Sequence, residues 1–231
     1  MKRSAVLATA LCAMLPAAAE TLHYSVNWPS GLSLGEASIR SEHVGEGRAE
    51  GGPEPGWEFE LTLDAAIPGF SMRDHYTSSA DPGFCSTELE KTVNRGDRKS
   101  EERVTFDQRA QQVTRETLVD GGGKSTYSVP ACARDALTFL QFVRSELAQG
   151  RLAQHQPVVF GAKYDLQLTY VGMEPVRVAG ERQEADKVRV DVKGPKSELS
   201  LELFFAHDDV RTPLKATVPL PLGAFSVELI P

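Results

Sequence analysis

A chain of 231 residues with a formal net charge of −7 is poorly matched to polyanions, because at long range it repels nucleic acid and anionic lipid surfaces. It has no basic patch with interleaved aromatics, which excludes nucleic-acid binding as its main role. Beyond the amino-terminal stretch, no segment is apolar over the roughly 20 residues that a transmembrane helix needs.

The chain opens MKRSAVLATALCAMLPAAAE. Lys2 and Arg3, an apolar run from Ser4 to Leu15, and small residues Ala17 to Ala19 have the three-part layout of a secretory signal peptide. Cleavage is expected after Ala19, and a periplasmic location follows. Cys12 stands behind Leu11, where a lipoprotein signal wants a small residue, so it is expected to be removed rather than lipidated. Loss of residues 1–19 takes the charge from −7 to −9 and leaves 20–231 as a single β-rich domain.

From there the pattern is mostly of period two. In YSVNWPSGLSLGEASI, Leu32 and Leu34 share a face. After Gly35 the apolar phase moves to Ala37 and Ile39, as a bulge would produce. Gly45 to Gly56, rich in Gly, Glu and Pro, reads as an exposed loop. Trp57, Phe59, Leu61, Leu63 and Ala65 then alternate with Glu58, Glu60, Thr62 and Asp64, a strand with one wet face. After a Pro68-Gly69 turn, Asp74 falls in phase with Phe70, Met72 and Tyr76, which aims its carboxylate toward the core. A buried carboxylate is either paired or raised in pKa, and such groups cluster at functional sites. Pro82-Gly83 marks the next turn.

The string GGGKST, Gly121 to Thr126, imitates a phosphate cradle but fails the template. Five residues before Gly123 stands Leu118 instead of glycine, and β-formers with Pro130 follow where a helix must begin. A hairpin turn is the expected structure. Of the cysteines, Cys85 and Cys132 survive processing. In an exported chain an even pair reads as a disulfide, whereas Cys132 ahead of a helix is the alternative of a reactive thiol.

One segment has helical spacing. Over 133–149, Ala136, Phe139, Leu140, Val143 and Leu147 form a stripe that Leu137 and Phe142 widen, with Asp135 in the first turn and Gly150 as a stop. Alternation then returns at Tyr164–Tyr170, Val188–Val192, Leu199–Phe205 and Phe225–Leu229, with turn signals at Gly161, Gly172, Gly194-Pro195 and Gly223. The expected fold is mainly β: a long curved antiparallel sheet or half-open β-barrel packed on one central α-helix. A two-sheet sandwich is the second choice. The mid-chain helix and the charged strand faces disfavour an outer-membrane barrel.

From Asp135 the landmarks DALTFLQFVRSELAQG, FGAKYDLQLTYVGMEPV and LFFAHDDVRTPLKATVPLPLGAFSVEL follow one another. Their order resembles the exported bacterial proteins of domain of unknown function 3108, carried by Asp135, Arg144, Gly150, Asp209, Arg211, Pro213 and Gly223. YSVNWPSGLSLGEASI, DHYTSSAD and EKTVNRGDRKSEERVTFD fit more loosely. The resemblance implies an exported β-rich domain and no activity. At the level of fold, the architecture is also similar to half-barrel lipoprotein carriers with a helical lid.

Asp135 and Arg144 are nine positions apart, too far for an i,i+4 pair, so each is expected to meet a strand. Arg211 is one candidate partner for Asp135, and a carboxylate such as Asp74 is one for Arg144. Together with Asp209 these form a candidate polar clamp between helix and sheet. No cofactor is implied. The leading functional reading is a non-enzymatic binding or envelope-assembly module whose partner is a lipid, a lipoprotein or another envelope protein. Trp28, Trp57, Phe70, Phe139 and Phe142, with Tyr24 and Phe59, are candidates to line an apolar groove; the alternative is that they simply fill a core. A carrier of this kind calls for an apolar cavity of at least ~300 Å³. The second reading is an envelope hydrolase in which Asp74, His75, His207 or Asp209 converge in one cleft.

Overall fold

The computed structural model describes residues 19–45, 55–67, 69–195, 198–220 and 223–231. The expected signal segment and most of the stretch between Gly45 and Gly56 lie outside the described residues.

Eight strands precede the helix: β1 (Glu20–Asn27), β2 (Ser33–Val44), β3 (Gly56–Ile67), β4 (Phe70–Ala80), β5 (Ser86–Arg95), β6 (Arg98–Asp107), β7 (Gln112–Thr117) and β8 (Lys124–Ser128). After α1 (Ala136–Ala148) come β9 (His155–Val159), β10 (Lys163–Val178), β11 (Glu181–Lys193), β12 (Glu198–Ala206), β13 (Pro213–Leu220) and β14 (Gly223–Ile230). They form one antiparallel sheet of two meanders, joined where β1 pairs with β14, with β8 and β9 at its outer edges. The sheet is not closed, so the half-open barrel with one helix is the observed architecture, and among the described residues no second sheet supports the sandwich. Helix α1 spans the connection between the two edge strands, and the bridge from Arg134 to Val158 ties its approach to β9.

The expected elements are present with shifted ends. The helix starts at Ala136 rather than Ala133, because Asp135 is its N-cap instead of a first-turn residue. At its other end the Arg151 amide bonds the Glu146 carbonyl and the Gly150 amide bonds that of Leu147, with Gly150 at φ 70°. This is a Schellman closure, which a glycine makes without strain. Gly172 does not turn the chain. It marks a register shift inside β10, and the chain reverses at Ala179 and Gly180. In the first hairpin a register shift at Val26 and Asn27 accommodates Leu34 as expected. At Gly35 an added Cβ would lie 2.0 Å from the Asp64 carbonyl oxygen, so β2 and β3 approach closely there.

The main core lies between α1 and the second meander, where Phe139, Val143 and Leu147 pack on Leu166, Leu168, Val188, Val190 and Phe205. Full burial of each such helix side chain contributes about 1.5–3 kcal/mol. Leu137 turns the other way, onto Phe59, Tyr76 and Ala80 of β3 and β4. The charged strands β5 to β7 bury a separate row of Leu89, Val104, Phe106 and Val113.

Candidate functional site

The β registers line up one apolar face across six strands. Leu63 lies opposite Ala37, and Ala37 opposite Tyr24. Val26 lies opposite Val227, Val227 opposite Ala216, and Ala216 opposite Leu203. Leu140 of α1 faces these rows across a recess of about 280 Å³, to which Phe205 and Pro213 also contribute. Polar groups on its wall are already occupied: the Tyr24 hydroxyl donates to the Pro213 carbonyl at 3.1 Å, and Lys215 pairs with Glu228 at 2.6 Å. Burial pushes the Tyr24 phenol above its ordinary pKa, so it stays a neutral donor. The recess is therefore an apolar slot with no group poised for chemistry.

The aromatic residues singled out from the sequence stand elsewhere, Tyr24 excepted. Trp28 meets the Phe225 ring edge-on at 4.8 Å. Trp57 stacks on Phe59 and contacts Phe84. Phe70 is 41% exposed. Phe139 is core, and Phe142 carries the Arg134 guanidinium at 3.8 Å from its ring centroid. The recess takes its walls from Tyr24, Phe204 and Phe205 together with aliphatic residues such as Ala37, Leu63 and Ala216.

Two polar clamps hold the helix over the slot, with partners other than those expected. Asp135, 0% exposed, accepts from the Leu137 and Thr138 amides and from the Ser78 and Ser86 hydroxyls at 2.5 and 2.8 Å. Burial pushes its carboxyl above the usual range, against the pull of those four donors. Arg211 is not its partner. Arg144, 5% exposed, forks onto both oxygens of Glu20 at 2.6 and 2.9 Å and donates through Nε to the Val210 and Arg211 carbonyls. Asp74 is not involved: its Oδ2 accepts from Tyr76 and Arg95. The Arg144 guanidinium holds the Glu20 carboxyl below the usual range.

Arg211 instead donates through Nε to the Leu147 carbonyl in the last turn of α1 at 3.4 Å and lies 3.6 Å from the buried Asp186, which also meets His207 Nδ1 at 3.0 Å and the Tyr170 hydroxyl at 2.8 Å. Asp209 is exposed on the neighbouring loop. The four side chains of the hydrolase reading thus do not share a cleft. Asp74 faces the core with Arg95, His75 lies on the outer face 3.6 Å from Glu60, and His207 belongs to Asp186 on β11. Among the described residues no group of three or more His, Cys, Asp or Glu is placed to hold a metal ion.

The sequence analysis passed over Glu20, Ser78, Ser86 and Asp186. For three of them the signal was available: Glu20 is in phase with Leu22 and Tyr24, Ser78 with Tyr76, and Asp186 with Val188, so each had to face the core side. The Cys85–Cys132 disulfide joins the β4–β5 turn to the helix approach, which removes the reactive-thiol alternative. GGGKST lies in the β7–β8 hairpin, with Gly121 at φ 76° and Lys124 opening β8.

No curated protein matches the sequence. Among solved structures, the chain is similar to a β-barrel-like protein of domain of unknown function DUF1849 from Brucella abortus, at 6% identity and a TM-score of 0.58, covering 92% of this chain and 94% of that one. A much looser superposition, with a TM-score of 0.29 at 13% identity, relates 91% of it to 84% of the Mycobacterium tuberculosis lipoprotein LppX. The first likeness is one of fold. Membership is carried by the family model for proteins of unknown function DUF3108, which matches residues 23–230, and the chain belongs to that family.

Proposed function

We propose that the protein is a non-enzymatic periplasmic binding module whose recess under α1 accepts one slim apolar group, such as a single acyl chain or the hydrophobic side chains of an envelope partner. The observation that carries this reading is the slot itself, about 280 Å³, walled by apolar side chains and bridged by Leu140. At about 280 Å³ it falls short of the ~300 Å³ that a lipid carrier calls for, so the carrier version of the reading is withdrawn and what is proposed is a seat for one slim apolar group. The disulfide supports an extracytoplasmic location, because such bonds persist where the environment oxidises.

Displacement of a fluorescent fatty acid tests the reading. Wild-type protein is expected to bind the probe, and Ala216→Phe, which fills the slot from β13, to lose it while melting at a similar temperature. Equal probe binding by the two proteins would refute the proposal. Native mass spectrometry of protein purified from its own periplasm then identifies the resident group.

A further inference from the structure

The sheet ends on two edges that differ in what they offer. β9 turns its even-numbered residues to β10, since the Leu168 amide bonds the Gln154 carbonyl and the Phe160 amide that of Ala162. Its outward positions are therefore His155, Pro157 and Val159. Pro157 has no amide to donate, and the Val159 amide is taken by the Arg134 carbonyl. Proline and the chain's own approach to α1 thus close most of that edge. β8 pairs with β7 alone. The Thr117 amide bonds the Gly123 carbonyl and the Val129 amide that of Gln111, so the odd-numbered positions face β7. The main-chain groups of Lys124, Thr126 and Ser128 point off the sheet, and all three residues are exposed. A row of donors and acceptors of this kind fits an extended polypeptide.

The side chains behind the β8 edge specify which strand. On the outer face Glu90 lies opposite Arg103, Arg103 opposite Glu116, and Glu116 opposite Lys124. Arg103 pairs with Glu90 at 2.6 Å and Lys124 with Glu116 at 3.8 Å. The ladder alternates in sign across four strands and ends on a cation, so an acid is the residue that continues it. Two residues along on the same face, Thr105, Thr114 and Thr126 stand in line, with the Thr114 and Thr126 hydroxyls 3.2 Å apart. On the inner face Phe106, Val113 and Tyr127 form an apolar row. The same pattern disfavours a second copy of β8. Its outward positions are Lys124, Thr126 and Ser128, so no register of β8 on β8 sets an acid opposite Lys124. Past Ser128, a cleft of about 510 Å³ between Pro130 and the β9 residues His155 and Pro157 leaves room for the end of an added strand.

We propose that the free edge of β8 is a docking site for an extended segment of a partner protein, added antiparallel to β8 with an acidic residue opposite Lys124. Read from its amino terminus, the segment carries an apolar residue opposite Tyr127, a threonine or serine opposite Thr126, and the acid two positions later. Main-chain bonds to Lys124, Thr126 and Ser128 hold it, and the charge ladder fixes its register. The site is separate from the recess under α1, and the inference stands whatever fills that recess.

Titration with the capped peptide Thr-Val-Thr-Val-Glu-Ser, followed by amide chemical shifts and hydrogen exchange, tests it. In the antiparallel register its first valine meets Tyr127, its second threonine Thr126, and its glutamate Lys124. Wild-type protein is expected to bind below about 1 mM, and exchange of the Thr126 and Ser128 amides to slow by about tenfold or more. The peptide with lysine in place of glutamate is expected to bind about fivefold more weakly, and Lys124→Glu to reverse that preference. Thr126→Pro removes an amide that faces away from β7, so the fold is kept while binding falls by about tenfold or more. Met173→Asp, exposed on β10, leaves binding unchanged. Far-ultraviolet circular dichroism and melting temperature establish that each variant folds, and the surface change Lys124→Glu carries the test if the proline variant does not. The proposal is overturned if wild type shows no binding at about 1 mM, if it binds the glutamate and lysine peptides equally, or if the peptide leaves exchange at Thr126 and Ser128 unchanged. It also fails if light scattering shows β8 joining two copies of the chain instead.

Discussion

Replacing Asp135 by alanine removes a carboxylate that serves the helix and the sheet at once. The Leu137 and Thr138 amides lose their cap, a loss of about 1 kcal/mol. Ser78 loses the acceptor of its hydroxyl, and an orphaned buried donor costs about 1–3 kcal/mol. Ser86 retains Thr138 as a partner at 2.7 Å, so it adds little. Part of this is offset because a fully buried carboxyl no longer has to be desolvated. The gross loss of about 2–4 kcal/mol is thereby reduced to a net loss of about 1.5–3 kcal/mol, read as a lower urea midpoint with an unchanged slope. Asp135→Asn keeps an acceptor for the two amides, and the serine hydroxyls can rotate to accept, so its loss should stay below about 1.5 kcal/mol. Linkage gives the sign with pH. A carboxyl whose folded pKa is raised contributes most below its unfolded value of about 3.9, and that contribution is lost as pH rises through the folded value. Wild type should therefore lose ground to Asp135→Asn as pH rises from about 4. An alanine variant within about 1 kcal/mol of wild type, or an asparagine variant equally damaged, would show that the Asp135 cluster does not fasten the helix.

Arg144→Ala leaves Glu20 and two carbonyls without their partner. A loss of about 3 kcal/mol is expected, at the low end for a buried pair because Glu20 can regain water, and faster hydrogen exchange should appear over 207–212. The folded pKa of Glu20 lies below its unfolded value of about 4.3, so this tie is complete above that pH and released as pH falls through the folded value; Glu20→Gln should abolish that acid-induced increase in exchange. Cys85→Ser with Cys132→Ser should lower stability by about 4 kcal/mol in the chain-entropy account for a bridge spanning 47 positions, and the native protein should show no reactive thiol in 20–231 under denaturing conditions. Gly35→Ala sets a methyl against the backbone of Asp64, and a loss of about 1–3 kcal/mol is expected in urea denaturation.

Much of the fold was legible because its determinants are local. Alternation at Trp57–Ala65 and Leu199–Phe205 follows from side chains pointing to opposite faces of a strand, and the stripe from Ala136 to Leu147 follows from helical pitch. The site was less legible. Large aromatics such as Trp57 and Phe142 were natural candidates for a groove, yet they pack on neighbours elsewhere, and the recess is walled by Tyr24, Phe204, Phe205 and aliphatic residues from strands distant in sequence.

The period of the apolar pattern, the capped helix, the pair of cysteines and the failure of GGGKST as a phosphate loop were all determined by the sequence, since each depends on neighbours a few positions away. Which strand answers Arg144, where Arg211 turns, which side chains face the recess and which edge of the sheet stays open were decided only by the tertiary structure. The reason is that these depend on register and on where each reversal falls. A one-residue slip moves every side chain of a strand to the other face, and curvature then chooses which in-phase residues meet.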